Sequence, residues 1–232
     1  FLFSHAELRG IQLGLKWEDK PTVTSVEDLA GTKNRVTGTQ LGRIAMKALN
    51  LNPVPVAWEE TLDGLKQGLI DGAETWASAV AYANMAPVVS QSVHLNFFCG
   101  TEATSMNAGV FDGLSGDLQD AVLESSYLAQ VHVQAANEAA LVKTVGQSDP
   151  QLPGTIFAQN NVRNAFLSAE EISKAEQMCS PEFQPQLWTE WRDRLNKWQG
   201  GADTYQEIYD EVRTISADTL PENVEPRRWW KS

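Results

Sequence analysis

The stretch "KNRVTGTQLGRIAMKALNLNPVPVAWEETLDGLKQGLIDGAETW", residues 33–76, switches periodicity several times in a short span. The residues around Asn34 to Thr37 read as a strand. Leu41, Ile44, Ala45, Ala48 and Leu49 then recur at spacings of three and four, the mark of a helix with one buried face, which Asn50 or Asn52 ends. "PVPVAW" is extended, and Pro53 and Pro55 place it at a sheet edge or strand start. Leu62, Leu65, Leu69 and Ile70 repeat the helical spacing, with Glu59 and Glu60 in the first turn where the helix dipole favours acids, before "DG" turns the chain. Strand, helix, strand and helix in close succession are an α/β signature.

The flanks extend this pattern. The opening "FLFSHAELRGIQLGLKWEDKP" reads as a helix end, a turn at Gly10, and a strand through Ile11, Leu13 and Leu15. Ser25 caps a short helical turn through Asp28 that Gly31 terminates. After a helical "ASAVAYANMA", residues 88–114 read as two strands joined by a bend. Ser115 or Asp117 then starts a helix from about Leu118 to Val145, with Leu118, Ala121, Val122, Leu128, Val131 and Ala135 as its stripe. That exceeds the usual ~8–20 residues and allows a span of ~40 Å. Further helices follow: one opened by a Ser168/Glu171 capping box, one holding Trp188, Trp191 and Trp198 and ended by Gly200 and Gly201, and "DTYQEIYDEVRTI". The terminal "PENVEPRRWWKS" reads as a proline-broken surface segment.

A net charge of -12 from 30 acidic and 18 basic residues repels phosphate backbones and anionic lipids, so nucleic acid is not an expected partner. An anionic ligand would need a local basic pocket with aimed donors. No window approaches the ~18 apolar residues of a membrane helix, and direct membrane insertion is not expected. Cys99 and Cys179 lack CxxC spacing, and His5, His94 and His132 are scattered singly, so no metal site or cofactor is expected. The cysteines read as two free buried thiols, with a disulfide as the alternative. His94, in an apolar strand, reads as a hydrogen-bonded core histidine.

Enzyme motifs are absent: no GxSxG, P-loop, dinucleotide fingerprint or HExxH occurs. The pairs Glu59/Glu60 and Glu170/Glu171 are adjacent on helices and point apart. Trp188 and Trp191 share a face, which serves core or lobe packing or, alternatively, a ligand platform. Arg35 stands out, because a strand carries it directly into "TGTQ", a small polar turn that opens a helix. A guanidinium fork beside helix-start N–H groups can clamp a carboxylate.

Asp28, Leu29, Gly31, Arg35, Ala48, Leu49, Pro53, Pro55, Trp58, Glu60, Leu65, Gly68, Asp71, Gly72 and Glu74 fall in register with a family pattern. The run resembles the substrate-binding proteins of TRAP (tripartite ATP-independent periplasmic) transporters. "FDGLSGDLQDAVLESSYLA" is similar to that family's long spine helix, and "SAEEISKAEQM" to a later lobe helix. The resemblance implies an α/β, two-lobed clamp with mixed sheets and a long lobe-spanning helix at about 117–145. It implies a periplasmic, non-enzymatic protein that captures a small carboxylate and hands it to TRAP membrane permease subunits.

By the same register Arg35 is the carboxylate anchor and Trp58 an aromatic beside the ligand. Thr75 stands where many members carry asparagine, which removes the amide's two donors, and Trp76 fills the neighbouring space. Lys16 is the candidate second basic residue, while Thr37, Asn96 and Phe97 are further pocket candidates. Family members carry more residues ahead of this segment, so the chain reads as N-terminally truncated. On that reading residues 1–14 and 100–139 are a remnant of lobe I, and 15–99 with 140–232 form lobe II. Two alternatives stand beside it: a ligand-sensing protein that signals to a protein partner, and an α/β enzyme using Glu60, Glu74 or His94.

Overall fold

The computed structural model describes residues 1–146, 152–215 and 228–231. Strand β1 (Phe3–Gly14) organises it, because one continuous strand of 12 residues serves two sets of neighbours. Its first half, Phe3 to Leu8, pairs antiparallel with β6 (Cys99–Thr104). Its second half lies between β4 (Gly72–Trp76) and β5 (Val89–His94), antiparallel to both. Outside these run β2 (Lys33–Val36) and the edge strand β3 (Asn52–Pro55) on one side, and β7 (Arg163–Phe166) on the other. The order is β3-β2-β4-β1-β5-β7, a mixed sheet in which β1 alone opposes its neighbours.

The turn expected at Gly10 is therefore not there. Gly10 sits inside β1 because a Cβ would collide with the backbone carbonyl oxygen of Val93 on β5. Here glycine marks a close backbone approach. The edge position of the Pro53/Pro55 segment agrees with its sequence, since a proline has no N–H to offer a further strand.

Helices α1 (Gln40–Ala48), α2 (Trp58–Lys66) and α3 (Ala77–Tyr82) follow β2, β3 and β4. Asn50, with φ 61°, turns the chain after α1. Alternation along the strands sorts two cores. Ile11, Leu13, Val36 and Val93 face α1, α7 (Ala169–Cys179) and α8 (Pro185–Trp198). Ala73 and Val89 face Leu65 of α2, Val80 of α3 and Phe157 of α6 (Ile156–Gln159). Each fully buried leucine, isoleucine or phenylalanine contributes about 1.5–3 kcal/mol. Leu41 and Leu69, expected on buried faces, are 37% and 66% exposed; Met46 takes the core position on α1, and Leu69 lies in the turn after α2.

After β6 come α4 (Ala108–Asp112) and the long helix α5 (Gly116–Thr144), 29 residues and about 43 Å. Its expected stripe is largely uncovered: Leu118, Leu128 and Val131 are 54%, 48% and 41% exposed. What binds α5 to β1 is polar. Gln130 exchanges two hydrogen bonds with the Ser4 peptide, and Gln134 does the same with Ala6. These side-chain amides occupy a strand edge that would otherwise be unpaired.

Ser168 accepts from the Glu171 N–H, so half of the capping box forms, but Glu171 reaches out to the Val26 N–H instead of back. Trp188 is buried and packs edge-on against Trp191, while Trp198 is 75% exposed. Helix α9 (Thr204–Arg213) is capped by Asp203. Of the terminal segment, residues 221–227 and 232 lie outside the described residues; Arg228 and Lys231 pair with Glu124 of α5.

His94 meets its expectation. Its Nε2 is 3.0 Å from Asn164 Oδ1 and its ring stacks on Phe166. Burial pushes its pKa below the ordinary value, against the Asn164 hydrogen bond.

Two outcomes follow from these contacts. Gly10→Ala should destabilise the fold by about 1–3 kcal/mol in denaturant titration, because Val93 backbone must move. Because folding depresses the His94 pKa, the unfolded chain binds that proton more readily, so stability is retained above about pH 6.5 and falls as the pH drops through it. Thermal melts should show that the pH 7.5 to 5.5 loss is smaller in His94→Gln, which keeps a hydrogen-bonding side chain without the titration.

Candidate functional site

Strands β2, β3, β4, β5 and β7 run parallel to one another, so their C-terminal ends share one edge of the sheet, the edge at which β1 enters. In open α/β sheets that is where ligands sit. Arg35 reaches this edge from β2 and is only 3% exposed. Its Nε donates to Val56 O at 3.0 Å and its Nη1 to Glu74 O at 3.5 Å. Trp58, the first residue of α2, lies under it, with Cζ 5.2 Å from the ring centroid. Both partners are neutral carbonyls, and among the described residues Arg35 has no salt bridge. Burial lowers its pKa, an effect that attraction from Glu74 opposes and repulsion from Arg9 reinforces. This is an oriented, desolvated cation without a direct counterion.

The carboxylate of Glu74, with no exposed surface, is occupied by Arg9 of β1, whose Nε and Nη2 meet its two oxygens. Arg9 is enclosed by the rings of Trp76 and Phe98, 5.1 and 5.5 Å from its Cζ. Breaking such a buried pair costs about 3–5 kcal/mol. One charge-assisted hydrogen bond to a ligand returns only about 1.5–3 kcal/mol. Arg9 therefore stays with Glu74. Gly100 of β6 makes the arrangement possible, since any Cβ there would collide with Trp76 Nε1 and Arg9 Cδ.

The structure brings some of the sequence-predicted residues together and separates others. Thr75 is buried, opposite Gly10, and follows Glu74, whose carbonyl holds Arg35. Thr37 is half-buried, with its hydroxyl 3.1 Å from that of Thr39. Thr39 occupies the cap position of α1 without a side-chain capping bond, which leaves the first N–H groups of this nine-residue helix to other acceptors. Trp76 lines a cavity of about 330 Å³ with His5 and Tyr82, its indole N–H buried without a hydrogen bond among the described residues. Asn96 and Phe97 border a different cavity of about 420 Å³, walled by α1, α7 and α8, which also takes in Phe98, Trp188 and Trp191.

Lys16 is not brought to Arg35. It bonds Gly68 O and Asp71 beyond the N-terminal end of β4, the end opposite Trp76. The basic residue that does join Arg35 is Arg9, missed in the sequence because Gly10 read as a turn. The available signal was a charged side chain within the run "ELRGIQLG".

Both cysteines are free. Cys179 is buried as expected, but Cys99 is exposed, because β6 has little covering it. Burial, with Glu176 adding to it, pushes the Cys179 thiol up to about 11. Iodoacetamide at pH 8 should accordingly label one thiol, Cys99, in the folded protein and both after unfolding, as read by intact mass. Double labelling of the folded chain would contradict the burial of Cys179.

Among the described residues no group of three His, Cys, Asp or Glu side chains is placed to hold a metal ion, and no helix is long and apolar enough to cross a membrane.

A model of the bacterial extracellular solute-binding protein family 7 matches residues 17–153. The ectoine-binding periplasmic protein TeaA of Halomonas elongata is 30% identical over 138 residues, 56% of this chain and 39% of its own length. The C4-dicarboxylate-binding periplasmic protein DctP of Rhodobacter capsulatus is 27% identical over 191 residues, 78% and 54% of the two chains. The chain spans about half the length of the curated relatives it matches. A TRAP periplasmic solute-binding protein from Desulfovibrio salexigens with bound orotic acid superposes with a TM-score of 0.70 at 15% identity, over 91% of this chain and 62% of that one. The crystal structure of the Halomonas elongata ectoine-binding protein gives 0.64 at 23%, over 81% and 57%. At these identities the structural likeness shows the fold.

Proposed function

The chain belongs to family 7 of the bacterial extracellular solute-binding proteins, and from that premise we propose that it captures a small organic acid in the periplasm and delivers it to TRAP membrane permease subunits. The observation that carries this reading is Arg35. A buried guanidinium held in orientation by two neutral carbonyls and backed by an aromatic ring is arranged to receive an anion. A carboxylate that reached its uncommitted Nη2 would gain charge-assisted hydrogen bonds and supply the countercharge that the carbonyls do not.

The relatives support an acid as the ligand. One is named for C4-dicarboxylates, and solved members hold orotic acid or β-D-galacturonate. Trp58 would stack beside the bound acid, and Thr75 and Thr37 would offer hydroxyls; Trp76, Asn96 and Phe97, which border other cavities, are not assigned to it. Lys16 falls outside this site. We assign the first half of β1, β6, α4 and most of α5 to one lobe and the larger sheet with its helices to the other, so that the edge bearing Arg35 faces the cleft. The task is capture and release, with no turnover, and Glu74, one candidate for an enzymatic role, is committed to Arg9.

Isothermal titration with an acid identified by native mass spectrometry of the purified protein tests the reading. Arg35→Ala should weaken binding by roughly a hundredfold, as expected for losing a charge-assisted anchor, with the circular dichroism spectrum retained. Arg35→Lys, a point charge without the fork, should fall between. Unchanged affinity in Arg35→Ala would remove Arg35 as the anchor.

A further inference from the structure

Two guanidinium groups converge on the cleft-facing edge, and their commitments differ. Arg35 spends Nε and Nη1 on neutral carbonyls, and its Nη2 makes no hydrogen bond among the described residues. Arg9 has Nε and Nη2 on the Glu74 carboxylate, with Nη2 also 3.4 Å from Glu74 O, and the rings of Trp76 and Phe98 lie 5.1 and 5.5 Å from its Cζ; its Nη1 makes no hydrogen bond among the described residues, but its charge is already met by Glu74. We propose that Glu74 tunes this site to a single carboxylate by keeping Arg9 occupied, so that the ligand is a monocarboxylic acid. The inference rests on the carboxylate reading above and goes on to name which acids satisfy it.

Charge at the site supports it. The charges acting on Arg35 are those of Glu74, Arg9 and Glu59. Arg9 and Glu74 neutralise each other at contact, and Glu59, exposed at the start of α2, subtracts further. Lys16 is bound to Asp71 at the far end of β4 and adds nothing here. The hydroxyls of Thr37 and Thr75 are neutral. One carboxylate thus meets Arg35, and a second would meet the negative field of Glu59 and a guanidinium already paired.

Glu74 acts in this scheme as a positioning residue, without touching the ligand. Its charge decides whether Arg9 can. Replacing it by glutamine keeps the shape and leaves Arg9 without its counterion, which turns a one-cation site into a two-cation site.

The test is isothermal titration of the purified chain with acid pairs that differ by one carboxylate, butyrate against succinate and benzoate against phthalate. In the wild type the monoacid should bind about tenfold or more tightly than its diacid partner. Glu74→Gln should lower that ratio by about tenfold or reverse it, whereas a merely structural role would weaken both acids alike and leave the ratio unmoved. Equal or tighter binding of the diacids to the wild type would overturn the inference and leave the carboxylate reading standing. Binding of neither pair would overturn both. The wild-type comparison does not depend on how the variant folds.

Discussion

The carboxylate of Glu74 is the constraint around which the sheet edge bearing Arg35 is arranged. A fully buried anion is tolerable only with a cation held against it, so β1 and β4 must be in the register that sets Arg9 beside it. That pair in turn requires room above β6, which Gly100 provides, and aromatic cover, which Trp76 and Phe98 provide. The backbone carbonyl of the same Glu74 then receives Arg35 from β2. One residue thus ties three neighbouring strands together and, through its two oxygen groups, gives the two arginines different fates.

This dependence explains why β1 is continuous. A strand that ended at Gly10 would leave Ile11, Gln12 and Leu13 without their partners Glu74, Ala73 and Gly72, and the strand that pairs Leu8 with Cys99 would not continue into the larger sheet. Continuity through Gly10 lets one backbone serve two sets of strands, and the missing Cβ is the condition for doing so beside β5. The Gln130 and Gln134 amides hold the other edge of the strand against α5, so the segment that crosses from one part of the molecule to the other is fastened on both sides by hydrogen bonds.

Much of this was legible in the sequence where each element buries one face: the alternation from Lys33 to Trp76, the edge prolines and the long helix all appear as read. Gly10 was misread because a glycine that permits close packing looks the same in sequence as one that permits a turn. The apolar stripe read on α5 is largely exposed, and the helix meets β1 through Gln130 and Gln134 instead, a polar contact that apolar periodicity does not report. Arg35 was found through its neighbours and the family pattern, while its burial and carbonyl partners depend on Val56 and Glu74, which strand pairing alone brings near. Lys16 shows the limit of counting along the chain. β1 runs antiparallel to β4, so moving from Arg9 toward Lys16 carries the chain away from the edge bearing Arg35, and the basic residue that arrives there is the one before Gly10.

The net charge of -12 also bears on the proposed capture of an acid. At physiological salt the long-range repulsion is screened beyond about 8 Å, so the field neither draws an anion in nor excludes it at close range. Selection then falls to contacts inside that distance, where Arg35 is desolvated and its pKa is lowered because burial makes its charge costly without a counterion. Under the proposal, an acid that fits would relieve that cost, and one that fits poorly would remain opposed by Glu59 and Glu74. On the proposed function, an acidic protein with a dry, oriented guanidinium lacking its own counterion would discriminate by geometry at contact, which a broadly basic cleft, attractive to anions in general, could not do as sharply.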